Sequence, residues 1–247
     1  MKNSDHIVVV GGTKGLGKVV AERFLDQQCA VTLLSRNKVQ MEGKLSQAHH
    51  VEIDLTELSN LSQIIKQVIE KHGPIRYLIF CQRYRGKEDS WAGEIQVTLT
   101  ATDQLIKAFR DHFCESGDKA IAAVGSVYAN FVGSSQPVSY HVAKAGLNQL
   151  VKYYAWELGQ KGIRINSVMP LTYLKAETKD FYLSQPDLME LYQKFVPLKR
   201  IGDANDSANL LEFLCSEKAS FITGQSIFVD GGTSVTWQEE LAKAMGK

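Results

Sequence analysis

His6-Ile7-Val8-Val9-Val10-Gly11-Gly12-Thr13-Lys14-Gly15-Leu16-Gly17 is the stretch that decides the fold. An apolar run stops at a glycine cluster and passes into a helical pattern from Leu16 to Gln27, with Leu16, Val19, Val20 and Phe24 on one face. Glycines between a strand and a helix allow a tight turn, close approach of a pyrophosphate and close helix–strand packing. The free N–H groups and dipole of the helix N-terminus then favour phosphate. Many glycine-rich turns are only turns. One that opens a strand–helix–strand unit points to nucleotide binding, through Gly11, Thr13, Lys14, Gly15, Leu16 and Gly17.

The same unit repeats outward along the chain. Apolar runs recur at 30–34, 50–53, 75–81, 120–124, 163–169 and 226–229. Helical spacing separates them at 61–69, with Thr56 as its cap and Gly73-Pro74 as its stop, and at 96–114, 139–160 and 203–216. Continuous apolar runs are what parallel strands buried on both faces look like. The expectation is an α/β protein, a doubly wound parallel sheet in a single domain over 1–247. The segment 171–200 departs from this rhythm. It carries Pro186, Pro197, Tyr173, Phe181, Tyr182, Tyr192 and Phe195. Following a strand's C-terminal end, it reads as a substrate-binding excursion or as a surface helix pair with aromatic anchors.

Composition removes other classes. The 247 residues suffice for a large core without disulfide or metal staples. With 28 Lys and Arg against 27 Asp and Glu, the net charge of +1 supplies no field for nucleic acid or an anionic membrane. Cys29, Cys81, Cys114 and Cys215 show no zinc or redox spacing and imply no metal site. Free thiols and the lack of any targeting or membrane-spanning stretch imply a cytoplasmic protein.

The second apolar run ends at Leu34-Ser35-Arg36-Asn37-Lys38, and no acid occurs between Gln27 and Met41. A dinucleotide with a free 2′-hydroxyl usually meets Asp or Glu there. Ser35, Arg36 and Lys14 suit a 2′-phosphate instead, with Arg able to bind it through two nitrogens. The plainer alternative is a solvated basic turn. The expectation is NADP (NADPH), with Ser35 and Arg36 among its ligands.

Tyr140 and Lys144 are four apart at the start of the long helical stretch and share its face. Ser126 precedes them at the end of the fifth run, on the crevice side. The glycine motif, Asp54, Ser126, Tyr140 with Lys144, the run Pro197-Leu198-Lys199-Arg200-Ile201-Gly202, then Phe221-Ile222-Thr223-Gly224-Gln225 and Val229-Asp230-Gly231-Gly232 come in one order. In that order the chain resembles the classical short-chain dehydrogenase/reductase family over essentially its whole length, most of all its 3-oxoacyl reductase branch. The resemblance implies a Rossmann fold and an NADPH-dependent reduction of a ketone or 3-oxoacyl compound, with a carrier-bound acyl group among the substrates. By it Tyr140 is the acid or base, Lys144 its partner and holder of the nicotinamide ribose, and Ser126 the group that orients the carbonyl. A Lys ammonium about 5 Å away would favour the phenolate by about 3 kcal/mol, or about two pH units. The resemblance also makes Asp54, Leu55, Cys81 and Pro170 cofactor contacts, His141 a bystander, and the assembly a homotetramer or homodimer.

Four departures from the family pattern stand out. Val10 replaces a Thr, Phe80-Cys81-Gln82-Arg83 replaces Asn-Asn-Ala-Gly, Thr98 stands for the catalytic Asn, and Pro170-Leu171 replaces Pro-Gly. Val10 is expected to pack on Phe80 and Cys81 as an apolar substitute for a polar contact. Arg83 has three orientations open to it: a phosphate, an acidic substrate, or solvent, the last being expected. Thr98 offers a hydroxyl without an amide's reach, which weakens the water relay to Lys144. These losses keep a second reading open, a cofactor-binding sensor or scaffold with little catalysis. A third is an isomerase or dehydratase using the same tyrosine.

Overall fold

The computed structural model describes residues 5–36, 42–86, 90–174 and 179–246. Seven parallel strands form one sheet in the order β3-β2-β1-β4-β5-β6-β9. They are β1 (His6–Val10), β2 (Ala30–Ser35), β3 (His49–Glu52), β4 (Tyr77–Phe80), β5 (Lys119–Val124), β6 (Ile163–Pro170) and β9 (Ser226–Val229). Successive strand residues face opposite sides of the sheet. Ile7 and Val9 accordingly pack with Phe24 of α1 (Gly15–Asp26) and Leu211 of α8 (Ala204–Leu214). Val8 and Val10 pack with Val68 of α2 (Leu61–His72), Leu105 of α4 (Ala101–Phe109) and Leu147 of α5 (Val138–Gly159). Both faces are covered, so the apolar runs are continuous and the expected doubly wound sheet is present.

Two boundaries differ from the sequence expectation. The helix expected over 96–114 begins earlier, as α3 (Ser90–Glu94), passes through a π-helical turn (Ile95–Thr100) and ends with α4 at Phe109. Thr56 does not cap α2, whose N-cap is Asn60. Its N–H and hydroxyl both donate to Asp54 Oδ1, at 2.9 and 2.7 Å, and close the turn after β3.

The segment expected as an excursion has a small core of its own. Within 171–200, outside 175–178 which are not among the described residues, lie β7 (Tyr173–Leu174), α6 (Lys179–Leu183) and α7 (Pro186–Phe195). Tyr192, Val196 and Ile201 pack together there against Leu171, Leu174 and Tyr182. Pairing of β7 with β8 (Gly202–Asp203) ties the excursion back to the start of α8. α9 (Gln238–Met245), which the sequence reading did not foresee, follows β9.

Candidate active site

The sheet order reverses direction between β1 and β4, and the loops leaving these strands diverge to open a crevice. One half runs from the β1 turn past Ser35, Arg36, Asp54 and Leu55. The other runs from the N-terminus of α1 past Ser126, Tyr140, Lys144 and Pro170 to Tyr192 of the excursion. Lys14, Cys81, Gln82, Arg83 and Arg85 line both halves, so the crevice is continuous.

The glycines of the first turn are there for space. Gly11 has φ +76°, and a Cβ on it would lie 2.8 Å from the Gln82 backbone. A Cβ on Gly17 would collide with the Gly11 carbonyl. Gly15, at φ +53°, has open space on its Cβ side. The α1 N-terminus carries no side-chain cap. An uncapped helix start beside an open glycine is a cradle for an anionic group.

At the far end of this half, Arg36 is exposed and acts electrostatically on Asp54. Burial favours the protonated form of Asp54, but the two Thr56 hydrogen bonds and Arg36 outweigh it and keep the carboxyl below its ordinary value. Ser35 Oγ is 2.8 Å from His50 Nε2. Gln82 Oε1 is a buried acceptor with no partner in the crevice wall, while its Nε2 donates to Thr102 Oγ1 at 2.9 Å. Together the open glycine, the uncapped helix start and the cations Lys14 and Arg36 fit an anionic dinucleotide.

The catalytic candidates come together in the other half. β5 ends at Val124; Gly125 N–H donates to Val168 O at 2.7 Å and holds the strand end on β6. Ser126 then caps a short turn, its Oγ accepting from Tyr128 N at 3.2 Å. The Ser126 hydroxyl and Tyr140 line the same wall, and Ser126 favours the Tyr140 phenolate. Tyr140 lies in the first turn of α5, one turn before Lys144, whose Nζ is 5.7 Å from the Tyr140 ring centre. Lys144 is 4% exposed and donates to Val124 O at 2.7 Å.

Charge in this half is arranged differently from the sequence expectation. Lys144 was expected to pull the Tyr140 phenol down. Instead burial leads and holds it above its ordinary value, with the Ser126 hydrogen bond and the Arg83 guanidinium pulling the other way. Burial also pushes the Lys144 ammonium down to about 8, opposed by Glu94. Nor does Arg83 simply point to solvent. It is exposed, yet its guanidinium stands 5.2 Å over the Tyr140 ring and donates to Gln136 Oε1 at 2.7 Å. Burial raises the Cys81 thiol to about 12, so it is an apolar wall and not a nucleophile.

The expected packing of Val10 is present toward Phe80 but not toward Cys81, which packs on the opposite face of the sheet. Val10 pairs with Phe80, both in the same core, and Cys81 N–H donates to Val10 O at 2.8 Å. His141 is occupied, its Nε2 accepting from Gly133 N at 3.2 Å and its Nδ1 lying 2.9 Å from Pro137 O. It fastens the preceding loop to α5. Thr98 is 2% exposed and donates to Glu94 Oε2 at 3.3 Å. The sequence reading missed Glu94. The signal was there: a lone acid four residues before Thr98, in a stretch otherwise read for its apolar spacing.

Among the described residues no helix is long and apolar enough to cross a membrane, and no group of His, Cys, Asp and Glu could hold a metal ion. Residues 10–234 match the family model described as enoyl-(acyl carrier protein) reductase. The chain is 27% identical to isoepoxydon dehydrogenase patN of Penicillium expansum, covering 94% of this chain and 96% of that one. It is 30% identical to the 3-oxoacyl-[acyl-carrier-protein] reductase FabG of Buchnera aphidicola, covering 93% and 97%. The ligand-free aldohexose dehydrogenase (AldT) of Thermoplasma acidophilum superposes with a TM-score of 0.82 at 27% identity, over 95% and 96% of the two chains. A parallel sheet with the crevice at its switch point, a glycine turn under it, and Ser126, Tyr140 and Lys144 along one wall agree with a family match spanning nearly all of the sequence, and the chain belongs to the short-chain dehydrogenase/reductase family.

Proposed function

We propose that this chain, working as one domain over 1–247, is an NADPH-dependent reductase of a ketone or 3-oxoacyl compound. The observation that carries the reading is the convergence of Ser126, Tyr140 and buried Lys144 on one wall of the crevice, with Lys144 Nζ 5.7 Å from the Tyr140 ring centre. A nicotinamide bound along the glycine turn supplies hydride. Ser126 orients the substrate oxygen, and Tyr140 donates its proton to that oxygen as charge builds on it. A phenol held above its ordinary value stays protonated at neutral pH, which suits an acid in the reductive direction.

Arg36 and Lys14 on the adenosine side, with no acid near them in the sequence, support a 2′-phosphate and so NADPH over NADH. The aromatic excursion, with Tyr182 and Tyr192 in the crevice wall, supports a substrate with apolar bulk. Exposed Tyr153 and Trp156 on α5 support association of copies through that helix, and four free cysteines support a reducing compartment.

The test is an NADPH-oxidation screen against ketones, acetoacetyl thioesters and keto sugars, run beside Tyr140→Phe. Turnover is expected in the wild type and its loss in the variant, with NADPH affinity nearly unchanged. Tight NADPH binding with no turnover of any carbonyl would favour the sensor reading.

A further inference from the structure

Glu94 is a carboxylate in an apolar setting. It is 4% exposed at the end of α3 and accepts a hydrogen bond from Thr98 across the π-helical turn. A buried carboxylate is costly unless something answers its charge. Lys144, also 4% exposed, lies on α5, which packs against α3 and the π-helical turn; the two groups are beyond ion-pair distance, and each favours the charged form of the other. The two helices are joined beside the pair by Ser139 Oγ donating to Ser90 Oγ at 3.3 Å. One turn back toward the start of α3, Ser90 and Trp91 are exposed. Glu94 thus lies in the packed interface of α3 and α5, one turn from the solvent-facing start of its own helix.

We propose that Glu94 is the proton exchanger of this site, returning to Lys144 the proton that Lys144 passes toward Tyr140. The inference rests on the reductase reading above. In each turnover the Tyr140 O–H breaks as an O–H forms on the product. An N–H of Lys144 breaks to restore the phenol. The Glu94 carboxylate takes one proton from solvent, and its carboxylic O–H then breaks, through a bridging water, to restore the ammonium. One proton is consumed for each hydride delivered by NADPH, and no other reactant is needed.

Among the described residues, the titrating and charged groups around the exchange are Lys144, Glu94, Arg83, Cys81, Tyr140 and Tyr128. Lys144 faces Glu94, Arg83, Cys81 and Tyr140; Glu94 faces Lys144 and Arg83; Tyr140 faces Arg83, Glu94 and Tyr128. Burial raises the Glu94 carboxyl above its ordinary value, against the pull of Lys144, the Thr98 hydrogen bond and Arg83. Lys144, lowered to about 8, can give up a proton.

Glu94→Gln keeps the shape and an acceptor for Thr98 but removes the charge and the proton. The first readout needs no turnover: the Lys144 Cε–H resonance, assigned by its loss in Lys144→Arg, is titrated in the cofactor-free protein. Its midpoint is expected to fall by about one pH unit in Glu94→Gln, because the carboxylate that favours the ammonium is gone. The second readout is kinetic. Steady-state kcat is expected to fall about tenfold or more, with a changed pH profile, while single-turnover reduction stays within about twofold. Glu94→Asp, which keeps the charge, is expected to restore the Lys144 midpoint. It also carries the comparison if the Gln variant melts early. An unmoved Lys144 midpoint, or superimposable pH profiles in a variant that reduces its substrate, overturns the relay and leaves the reductase reading standing. A wild type that binds NADPH and reduces nothing overturns both.

Discussion

Arg83 gives the sharpest handle on the chemistry of Tyr140. Its guanidinium stands 5.2 Å from the ring centre, and its NH2 is fixed on Gln136 Oε1. Two charges about 6 Å apart interact by about 2.8 kcal/mol at an effective dielectric of about 20. Arg83 is exposed, and solvent screening halves that to about 1.4 kcal/mol, equivalent to about one pH unit. Arg83→Gln removes the charge, so the phenol, already held high by burial, should rise by about one unit more. The direction of catalysis decides what is seen. Oxidation of an alcohol needs the phenolate, and its rising pH limb should move up by about one unit, costing about tenfold in rate below the limb. Reduction near neutrality uses the phenol and should change little. The assay is kcat/KM against pH in both directions, with NADPH affinity measured alongside and Arg83→Lys as the charge-keeping control. An oxidation limb that stays put in Arg83→Gln would show that the phenol does not feel this cation. A loss confined to KM or to cofactor affinity would make Arg83 a ligand-binding residue instead.

Three further outcomes are expected. Arg36→Ala should weaken NADPH binding by about tenfold to a hundredfold and leave NADH nearly unchanged, and calorimetric titration showing equal losses for both would refute the 2′-phosphate assignment. Gly17→Ala should cost about 1–3 kcal/mol and lower Tm by several degrees, because the new methyl meets the Gly11 backbone and not a movable side chain; an unchanged melting curve would count against that contact. His6, 1% exposed between Gly73 O and Thr32 Oγ1, is lowered from 6.5 to about 4, chiefly by burial. The unfolded chain therefore binds the extra proton first as the pH falls from 6.5 to about 4, and up to about 3 kcal/mol of stability should be lost across that window, a slope that urea unfolding should show flattened in His6→Gln.

The features legible in the sequence were those set by local chemistry repeated along the chain. Val8 and Val10 belong to one core, Ile7 and Val9 to the other, and a strand buried on both sides must read as an unbroken apolar run. The Tyr140–Lys144 spacing was legible because four residues is one turn of a regular helix. Glu94 escaped because the helix is not regular there. The π-helical turn at Ile95–Thr100 inserts an extra residue, so the face read from 96 onward does not continue back to 94. Thr56 was misplaced for another local reason: its hydroxyl found Asp54 Oδ1 two residues away, a turn that competes with capping. Nor could charge on Tyr140 be read from spacing. Arg83 reaches the ring from the end of β4, across the crevice, and only the fold brings the two together.

The departures from the family pattern are not scattered in space. Val10 and Phe80 pair at the ends of β1 and β4. Gln82, two residues on, sends its Nε2 to Thr102 Oγ1. That hydroxyl donates in turn to Thr98 O at 2.8 Å, and the Thr98 hydroxyl donates to Glu94. One hydrogen-bonded chain therefore runs from the strand end that floors the crevice, through the π-helical turn, to the carboxylate facing Lys144. A buried polar group left without a partner costs roughly 1–3 kcal/mol, so groups in such a chain cannot be exchanged one at a time. An apolar contact at Val10 and Phe80 releases the strand end from its former polar anchor, and Gln82 supplies a new one on α4. The Thr98 hydroxyl meets the Glu94 carboxylate one turn earlier. Val10, Phe80, Gln82, Thr102 and Thr98 thus form one connected support that links the strand end flooring the crevice to Glu94, so a change at any one of them is expected to be felt by the others.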